Sequence, residues 1–263
     1  MASVDLNRRA KLTLARVLPV ELQSDDGFDR WFEPLKRRIQ IAAQKVEDAV
    51  QAILTAEQHR IQSNERCKRT VYDVFKGGGS LTKSSASIRS KIGRQLLDGN
   101  HCRGVLSKMQ VKNRILRFPD LGRFRILCSL SSDVEQALRV LLDARKRRLA
   151  GHYPLVSPVK DYVEDLSLRC PSRGHRARQF AVHVRTGHAA EVVHVEIQLM
   201  TTVQHAWDQR NHPIYEWVRE GAVLPDNLVI RDVALAETLY LVDEQASRNW
   251  KDILDHRKEK SLS

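Results

Sequence analysis

The chain has 263 residues, a formal net charge of +12 and an apolar content of 42%. A chain of this length and composition is expected to be globular, with one large domain or two small ones and a substantial core. The excess positive charge favours polyanionic partners, namely nucleic acid, nucleotide phosphates or an acidic membrane surface, although it also serves general solubility.

The spacing of the four cysteines argues against a zinc site and against a disulfide framework. Cys67, Cys102, Cys128 and Cys170 lie far apart and form no CxxC pair. Neither a zinc site nor a disulfide framework is therefore expected, and the chain fits a reducing cytosol. The first residues contain no apolar segment of signal-peptide length, and no run approaches the roughly 20 apolar residues that a membrane span needs. We expect a cytoplasmic protein that does not enter the membrane.

The first predicted element is a long helix from residue 26 to about residue 75. Its apolar residues recur at spacings of three and four, with charged residues between them. The sequence KGGGS at 76–80 interrupts this pattern and lacks the spacing of a phosphate-binding P-loop, so a flexible hinge is preferred. A short helix is expected at about 87–97. The apolar stripe of the long helix consists of Trp31, Leu35, Ile39, Ala42, Val46, Val50 and Ile53.

Strands and helices are mixed in the second half of the chain. Pro119 and Asp120 precede the first strand, and Ser132 to Glu135 form a capping-box pattern at the start of a helix whose end carries the basic run RKRR. Alternation of apolar and polar residues predicts the later strands. The expected strands span about 124–130, 155–163, 178–186 and 193–199, and the expected helices about 132–149, 202–220 and 227–258.

The strand around Glu196 has the clearest alternation in the chain. The valine, isoleucine and leucine residues at odd positions from 193 to 199 would face one side, and His194, Glu196 and Gln198 the other. Glu196 is open to two interpretations: a solvated or salt-bridged carboxylate, or a metal ligand or general base. Four or five strands with helices at both ends predict one α+β or α/β domain around a central sheet.

Four polar clusters lie at the ends of these elements: residues 82–91, 120–126, 171–179 and the strand that carries Glu196. Each alone has an ordinary structural explanation. In order and content, however, they resemble the RelA/SpoT synthetase domain, which makes the alarmone (p)ppGpp. The first two segments, LTKSSASIRSK and DLGRFRI, correspond to the family motifs R-x-K-S-x-x-S-I-x-x-K and D-I-A-G-I-R. The third segment, RGHRARQ, corresponds to N-G-Y-R-S-L-H. The last segment, EIQLMTTVQHAWDQRNHPIY, corresponds to E-I-Q-I-R-T followed by Q-H-A-W-A-E-x-x-H-D-L-x-Y.

The resemblance covers about residues 80–217. It implies a nucleotidyltransferase-like synthetase domain with an α+β fold, in which helices flank a mixed central sheet of about five strands. It also implies a helical region at 1–75 that packs on the core, a synthetase core at 76–221 and a C-terminal helix at 222–263. The chain is expected to be a stand-alone, small alarmone synthetase, with a second copy of itself or an antitoxin as further partners to consider.

The resemblance also implies a reaction and its residues. The family moves pyrophosphate from ATP to the 3′-hydroxyl of GDP or GTP, releases AMP and needs Mg²⁺. Lysines and arginines would bind the polyphosphate, and carboxylates would hold the metal. Asp120 and Glu196 are the implied catalytic residues and magnesium ligands, with Glu196 as the general base. The implied ATP-binding residues are Lys83, Ser87, Lys91, Arg125 and Lys160, and the implied acceptor-binding residues are His175, Arg176, Gln179 and Gln198.

Several positions depart from the family motifs and leave the acceptor open. The ATP-binding residues are mostly present, whereas the acceptor pocket is rewritten. The first hypothesis is a guanine nucleotide acceptor. The second is a toxic variant that uses the 3′ end of tRNA or an adenine nucleotide, and the third is a degenerate module that binds nucleotide or RNA. The departures are Leu81 and Met200 in place of arginines, Arg123 in place of glycine, His175 in place of the tyrosine that stacks on guanine, and Gln179 in place of histidine.

Overall fold

The computed structural model describes residues 2–75, 82–98, 104–143, 145–156, 158–163, 175–186, 191–219 and 223–262. Its helices are α1 (Ala2–Val17), α2 (Asp25–Glu65), α3 (Ser85–Asp98), α4 (Lys108–Leu116), α5 (Ser131–Leu141), α6 (Thr202–Arg219) and α7 (Asp226–Leu262), with a 3-10 turn at Val20–Leu22. Its strands are β1 (Tyr72–Phe75), β2 (Gly122–Cys128), β3 (Leu142–Asp143), β4 (Arg148–Leu149), β5 (Tyr153–Pro154), β6 (Lys160–Asp161), β7 (Arg178–Thr186) and β8 (Glu191–Thr201).

A five-stranded mixed sheet in the order β1-β2-β8-β7-β6 organises the described part of the chain. The neighbours β2 and β8 run parallel, and the other neighbouring pairs run antiparallel. Helices flank this sheet, so the prediction of an α+β fold with about five mixed strands is confirmed. The predicted strand at Arg178–Thr186 and the two predicted C-terminal helices also agree with β7, α6 and α7.

One face of the sheet is apolar and supports the main core. Phe124, Val195, Ile197 and Phe180 are buried on it, and α2 and α5 pack across the strands that carry them. The apolar stripe predicted for α2 lies in this core, where most of its members are fully buried and the rest are half-buried. Burial of this stripe therefore attaches the long N-terminal helix to the sheet.

The prediction of a helix to about residue 75 is wrong in its last ten residues. The helix α2 ends at Glu65, and Arg66 takes a left-handed conformation with φ 51°. The backbone N–H groups of Val71 and Tyr72 then donate to the Gln58 side-chain oxygen at 3.2 and 3.1 Å. The following strand β1 pairs with β2 at the edge of the sheet, so a tertiary hydrogen-bond partner overrides local helical spacing here.

The prediction of a helix from 132 to about 149 is also wrong at its C-terminal end. The helix α5 ends at Leu141, and the chain folds into a small antiparallel sheet of β3, β4 and β5. The side chain of Asp143 accepts hydrogen bonds from the backbone N–H groups of Arg145 and Lys146 at 3.2 and 3.3 Å. An aspartate that caps a turn in this way stops a helix, so the basic run forms a hairpin turn.

Three further elements differ from the sequence prediction. The predicted strand at 155–163 is divided into β5, an isolated bridge from Leu155 to Val182, and β6. Helices α1 and α4 are additional to the predicted elements. Helix α1 packs on α3 beside Gly93, where a Cβ atom added to the glycine would lie only 3.2 Å from the Ala10 Cβ atom. Glycine therefore permits this close helix contact.

Some predictions lie outside the described residues, namely the hinge at 76–80, Leu81, Cys102, Cys170 and the loop at 171–174. Cys67 and Cys128 are free thiols. Among the described helices, none combines the length and apolar composition needed to cross a lipid bilayer.

Candidate active site

The second face of the sheet is polar, and strand register places the motif residues on it. Arg123 and Arg125 of β2 lie opposite Glu196 and Gln198 of β8, and Gln179 of β7 also lies opposite Gln198. Side chains of directly opposed residues in a sheet project from the same face. Three sequence clusters that are distant along the chain therefore meet on one surface.

Glu196 is the buried carboxylate of this face, with 7% of its surface exposed. It accepts hydrogen bonds from the amide of Gln179 at 2.5 Å and from the amide of Gln198 at 3.1 Å. Burial raises the pKa of Glu196, and the negative charge of Asp120 adds to the rise, while Lys83 acts in the opposite direction. A carboxylate with a raised pKa is a stronger base than an ordinary glutamate, and two amides hold it in place.

Asp120 lies just before β2 and is clamped by two lysines. Lys83 donates to one carboxylate oxygen, and Lys91 donates to the other at 2.5 Å. Burial by itself would raise the pKa of Asp120, but the two lysines outweigh burial and lower it. Burial lowers the pKa of Lys83, although Asp120 opposes that effect. The cluster thus holds one carboxylate between two cations and carries a net charge of about +1 when all three are ionised.

Local backbone contacts position these lysines. Thr82 forms an isolated bridge with Gly122, and the Lys83 N–H donates to the Leu121 carbonyl at 3.1 Å. The chain then enters α3, where the Ser84 hydroxyl accepts the N–H of Ser87 at 3.2 Å, as an N-cap serine does. Ser87 is consequently held in the first turn of α3, about one helical turn before Lys91 of the Asp120 cluster.

Arg125 is the centre of a second polar network. Its guanidinium donates to the Gln198 side-chain oxygen at 3.0 Å and to Asp208 at 2.6 Å, and it contacts His205 Nδ1 at 3.1 Å. The other oxygen of Asp208 lies 3.1 Å from His175 Nδ1. A continuous series of hydrogen bonds therefore connects Glu196, through Gln198 and Arg125, to His175.

Asp208 is a residue of this network that the sequence motifs do not single out. Burial alone would raise its pKa, but the hydrogen bond with His175 and the charge of Arg125 lower it. The available signal was the spacing of His205 and Asp208, three residues apart on a helix that directly follows β8. That spacing shows a shared helix face but does not reveal Arg125 as the partner. His205 takes part in the network through its contact with Arg125.

Two other residues that were predicted to bind substrate lie away from the centre of the polar face. Lys160 of β6 is exposed and opposite Gln179, at the edge of the polar face. Arg176 is not brought to this face: it is only 2% exposed, it forms an ion pair with Glu237 of α7, and it lies 5.1 Å from the ring centre of Tyr240. In the structure Arg176 joins the core to the C-terminal helix, and its role in acceptor binding stays a prediction.

The departure at Met200 also has a structural consequence. Met200 is buried and packs with Leu127 and Ala177, and half-buried Phe75 lies against them. The ring centres of Phe75 and His205 are 4.7 Å apart. This apolar cluster closes one end of the polar face, where an arginine would have extended its positive charge.

The carboxylates of the face meet the needs of a divalent cation only in part. The described residues contain no group of three or more histidine, cysteine, aspartate or glutamate side chains that could hold a metal ion. Asp120 and Glu196 supply two carboxylates close enough for the charge of Asp120 to affect the pKa of Glu196. Magnesium is commonly bound by one or two carboxylates together with substrate phosphates, so these donors fit Mg²⁺ that arrives with a nucleotide.

Asp208→Asn is expected to lower the free energy of unfolding at pH 7 by roughly 2 kcal/mol, because hydrogen bonds to charged groups are lost. Since the pKa of Asp208 is lowered in the folded state, its contribution is present above the ordinary aspartate pKa and disappears as the pH falls through the lowered pKa. Urea denaturation at neutral and acidic pH measures both effects.

Asp232→Asn is the matched control, because Asp232 pairs with a half-exposed arginine, Arg210, at 3.1 Å. Such a surface pair contributes about 0–1 kcal/mol. Equal losses of stability for the two variants would contradict the structural role of Asp208.

The sequence and the fold were compared with known proteins. No family model and no curated protein matches the sequence. The small alarmone synthetase 1 of Bacillus subtilis, bound to its product pppGpp, has a TM-score of 0.62 at 19% identity, with 86% of this chain and 99% of that chain covered. A GTP pyrophosphokinase family protein from Streptococcus pneumoniae has a TM-score of 0.59 at 16% identity, with 86% and 95% covered. The chain therefore has the fold of the small alarmone synthetases of the RelA/SpoT family, as its motifs predicted.

Proposed function

We propose that this protein is a magnesium-dependent pyrophosphotransferase that uses ATP as donor and GDP or GTP as acceptor. The observation that carries the proposal is Glu196, a buried carboxylate with a raised pKa, held by two amides beside the Asp120–lysine cluster. The fold supports the same activity, because one of the structures that share it contains pppGpp as its product.

The proposed reaction is a single displacement at the β-phosphorus of ATP. The 3′-hydroxyl oxygen of the acceptor forms a bond to the β-phosphorus, and the bond from this phosphorus to the oxygen that bridges it to the α-phosphorus breaks. AMP leaves with that bridging oxygen, and Glu196 accepts the hydroxyl proton. A base whose pKa is nearer to neutral pH is suited to this proton transfer.

The cations of the polar face would bind the polyphosphate. Lys83 and Lys91 together exceed the charge of Asp120 by one unit, so the cluster attracts an anion even while its ion pairs are formed. Ser87 would donate its hydroxyl hydrogen to a phosphate oxygen. Lys160, at the exposed edge of the face, would contact the far end of the polyphosphate.

Asp120 and Glu196 are the residues that would hold Mg²⁺. When bound, this ion neutralises part of the polyphosphate charge and favours attack by an oxygen nucleophile. The role of Asp120 in the protein itself is to orient Lys83 and Lys91.

Acceptor binding is proposed for the opposite end of the hydrogen-bonded network. The His175 ring is fixed by Asp208 and lies edge-on to Tyr162, with ring centres 5.3 Å apart. A fixed imidazole offers a flat surface to a base, and the amides of Gln179 and Gln198 would position the acceptor ribose near Glu196.

Transfer of label from γ-labelled ATP tests this function. The acceptors are GDP, GTP, ADP and deacylated tRNA, each at low and high salt, with and without EDTA. We expect labelled product with GDP or GTP, loss of product with EDTA and a modest effect of salt. Transfer to tRNA alone, with a steep decrease in salt because many phosphates are contacted, would instead favour the tRNA acceptor. Nucleotide binding without any transfer would overturn the proposal in favour of a binding module.

A further inference from the structure

Arg123 is a cation next to the proposed base that the motifs do not explain. It lies directly opposite Glu196 in the parallel register of β2 and β8, so both side chains project from the polar face. Arg123 is exposed, whereas Glu196 is buried beneath the same surface. Its charge reaches the site, since it contributes to lowering the pKa values of both Lys83 and Glu196.

The lysines of the Asp120 cluster and Arg125 are already engaged by carboxylates. Lys83 and Lys91 bind Asp120, and Arg125 binds Asp208. Within the ranges that the structure describes, Arg123 forms no ion pair and no side-chain hydrogen bond. A guanidinium with five donors, placed beside two carboxylates but engaged by neither, is available to an anion that enters the site.

The geometry of the sheet restricts where that anion lies. On the side of Glu196 away from Arg123, the opposed residue is Ala181, so of the two residues directly opposed to Glu196 only Arg123 carries a charge. A hydroxyl that gives its proton to Glu196 must lie within hydrogen-bond distance of it, and the phosphorus that the hydroxyl attacks lies one further contact away. An arginine adjacent to the base is therefore near the phosphoryl group that moves.

We propose that Arg123 binds the pyrophosphoryl group during its transfer, an inference that rests on the proposed function. While the acceptor oxygen bonds to the β-phosphorus and the bond to the leaving AMP oxygen breaks, negative charge is distributed over the oxygens of the transferred group. The Arg123 guanidinium donates to these oxygens and stabilises that charge, as arginines do in other phosphoryl transfers. It thereby offsets the repulsion of this group by Glu196 and Asp120.

Steady-state kinetics of Arg123→Ala and Arg123→Lys test the proposal. For Arg123→Ala, kcat is expected to fall by about 10- to 100-fold, the factor that a hydrogen bond to a charged group typically contributes, with little change in KM for ATP or acceptor. Arg123→Lys should retain an intermediate kcat. Added guanidinium ion should restore part of the lost kcat of Arg123→Ala, because it can occupy the vacated position.

Arg185→Ala is the matched control, since Arg185 is an exposed arginine on the same face but near the far end of β7, opposite Val192. This variant should keep the wild-type kcat and should not respond to guanidinium. Equal behaviour of the two alanine variants would overturn the inference, as would an Arg123→Ala variant with unchanged kcat and a raised KM for ATP.

The pH profile separates contact with the transferred group from an effect on Glu196. If Arg123 acted only by lowering the pKa of Glu196, Arg123→Ala would shift the acidic limb of the kcat profile to higher pH. The variant would then regain the full wild-type kcat at alkaline pH, and this result would overturn the inference. We expect the loss of kcat in Arg123→Ala to persist on the alkaline plateau.

The failure of the proposed function and the failure of this inference give different results. A wild-type protein that transfers pyrophosphate to no acceptor would overturn the proposed function itself. Wild-type transfer together with an unaffected Arg123→Ala variant would overturn the role of Arg123 alone.

Discussion

Glu196→Gln is expected to slow pyrophosphate transfer by roughly 100- to 10,000-fold while the protein remains folded. Glutamine keeps the shape of the side chain, but it cannot accept the hydroxyl proton. Gln179 and Gln198 donate to different oxygens of Glu196, so the one side-chain oxygen of glutamine keeps one of these hydrogen bonds. Single-turnover transfer from labelled ATP, with circular dichroism to check folding, measures this effect.

The pH dependence of the wild type provides a second measurement on the same carboxylate. Because the pKa of Glu196 is raised in the unliganded protein, the acidic limb of kcat/KM, which reports the free enzyme, should lie above the range of an ordinary glutamate. A raised folded-state pKa means that the neutral form stabilises the fold at low pH and that this stability is lost as the pH rises through the folded pKa. Glu196→Gln should therefore gain melting temperature relative to wild type at neutral pH and lose that advantage in acid.

Glu191→Gln is the control for the Glu196 variant. Glu191 is a glutamate on the same strand, but it forms ion pairs with Arg38 and Lys112 on neighbouring helices. The control should lose some stability and keep its transfer rate. Near-normal turnover of Glu196→Gln would refute the assignment of Glu196 as the base.

Asp120→Asn is expected to reduce transfer by roughly 100- to 1,000-fold, the cost typical of disturbing a pre-organised electrostatic site. The neutral amide no longer holds Lys83 and Lys91 in place, and it is a poor ligand for magnesium. The variant should therefore need more Mg²⁺ to reach half of its maximal rate. Transfer measured over a series of magnesium concentrations gives both quantities.

Asp143→Asn serves as the control for Asp120, because asparagine keeps the side-chain oxygen that caps the turn after β3. Its activity and magnesium requirement should match those of the wild type. A purely structural role for Asp120 would appear as an unchanged magnesium curve together with a large decrease in melting temperature.

The periodicity of apolar residues was sufficient to predict the helices and strands that bury one regular face. The alternation of β7 and β8 and the spacing of α2, α6 and α7 follow from which side chains must be buried, and burial repeats with the period of the element. The order of the motifs along the chain was likewise enough to predict the fold of the small alarmone synthetases. It also directed attention to Asp120, Lys83, Lys91 and Glu196, which the structure brings together.

Only the tertiary structure decided the features that depend on partners distant in the sequence. The strand β1 exists because β2 offers it hydrogen-bond partners, and the hairpin of β3 and β4 replaces a helix because Asp143 caps its turn. Strand register places Arg123 beside Glu196, helix packing brings Asp208 to Arg125, and an ion pair joins Arg176 to Glu237 of α7. Strand register and helix packing are set by contacts across the whole core, so they cannot be predicted from the residues next to a side chain in the sequence.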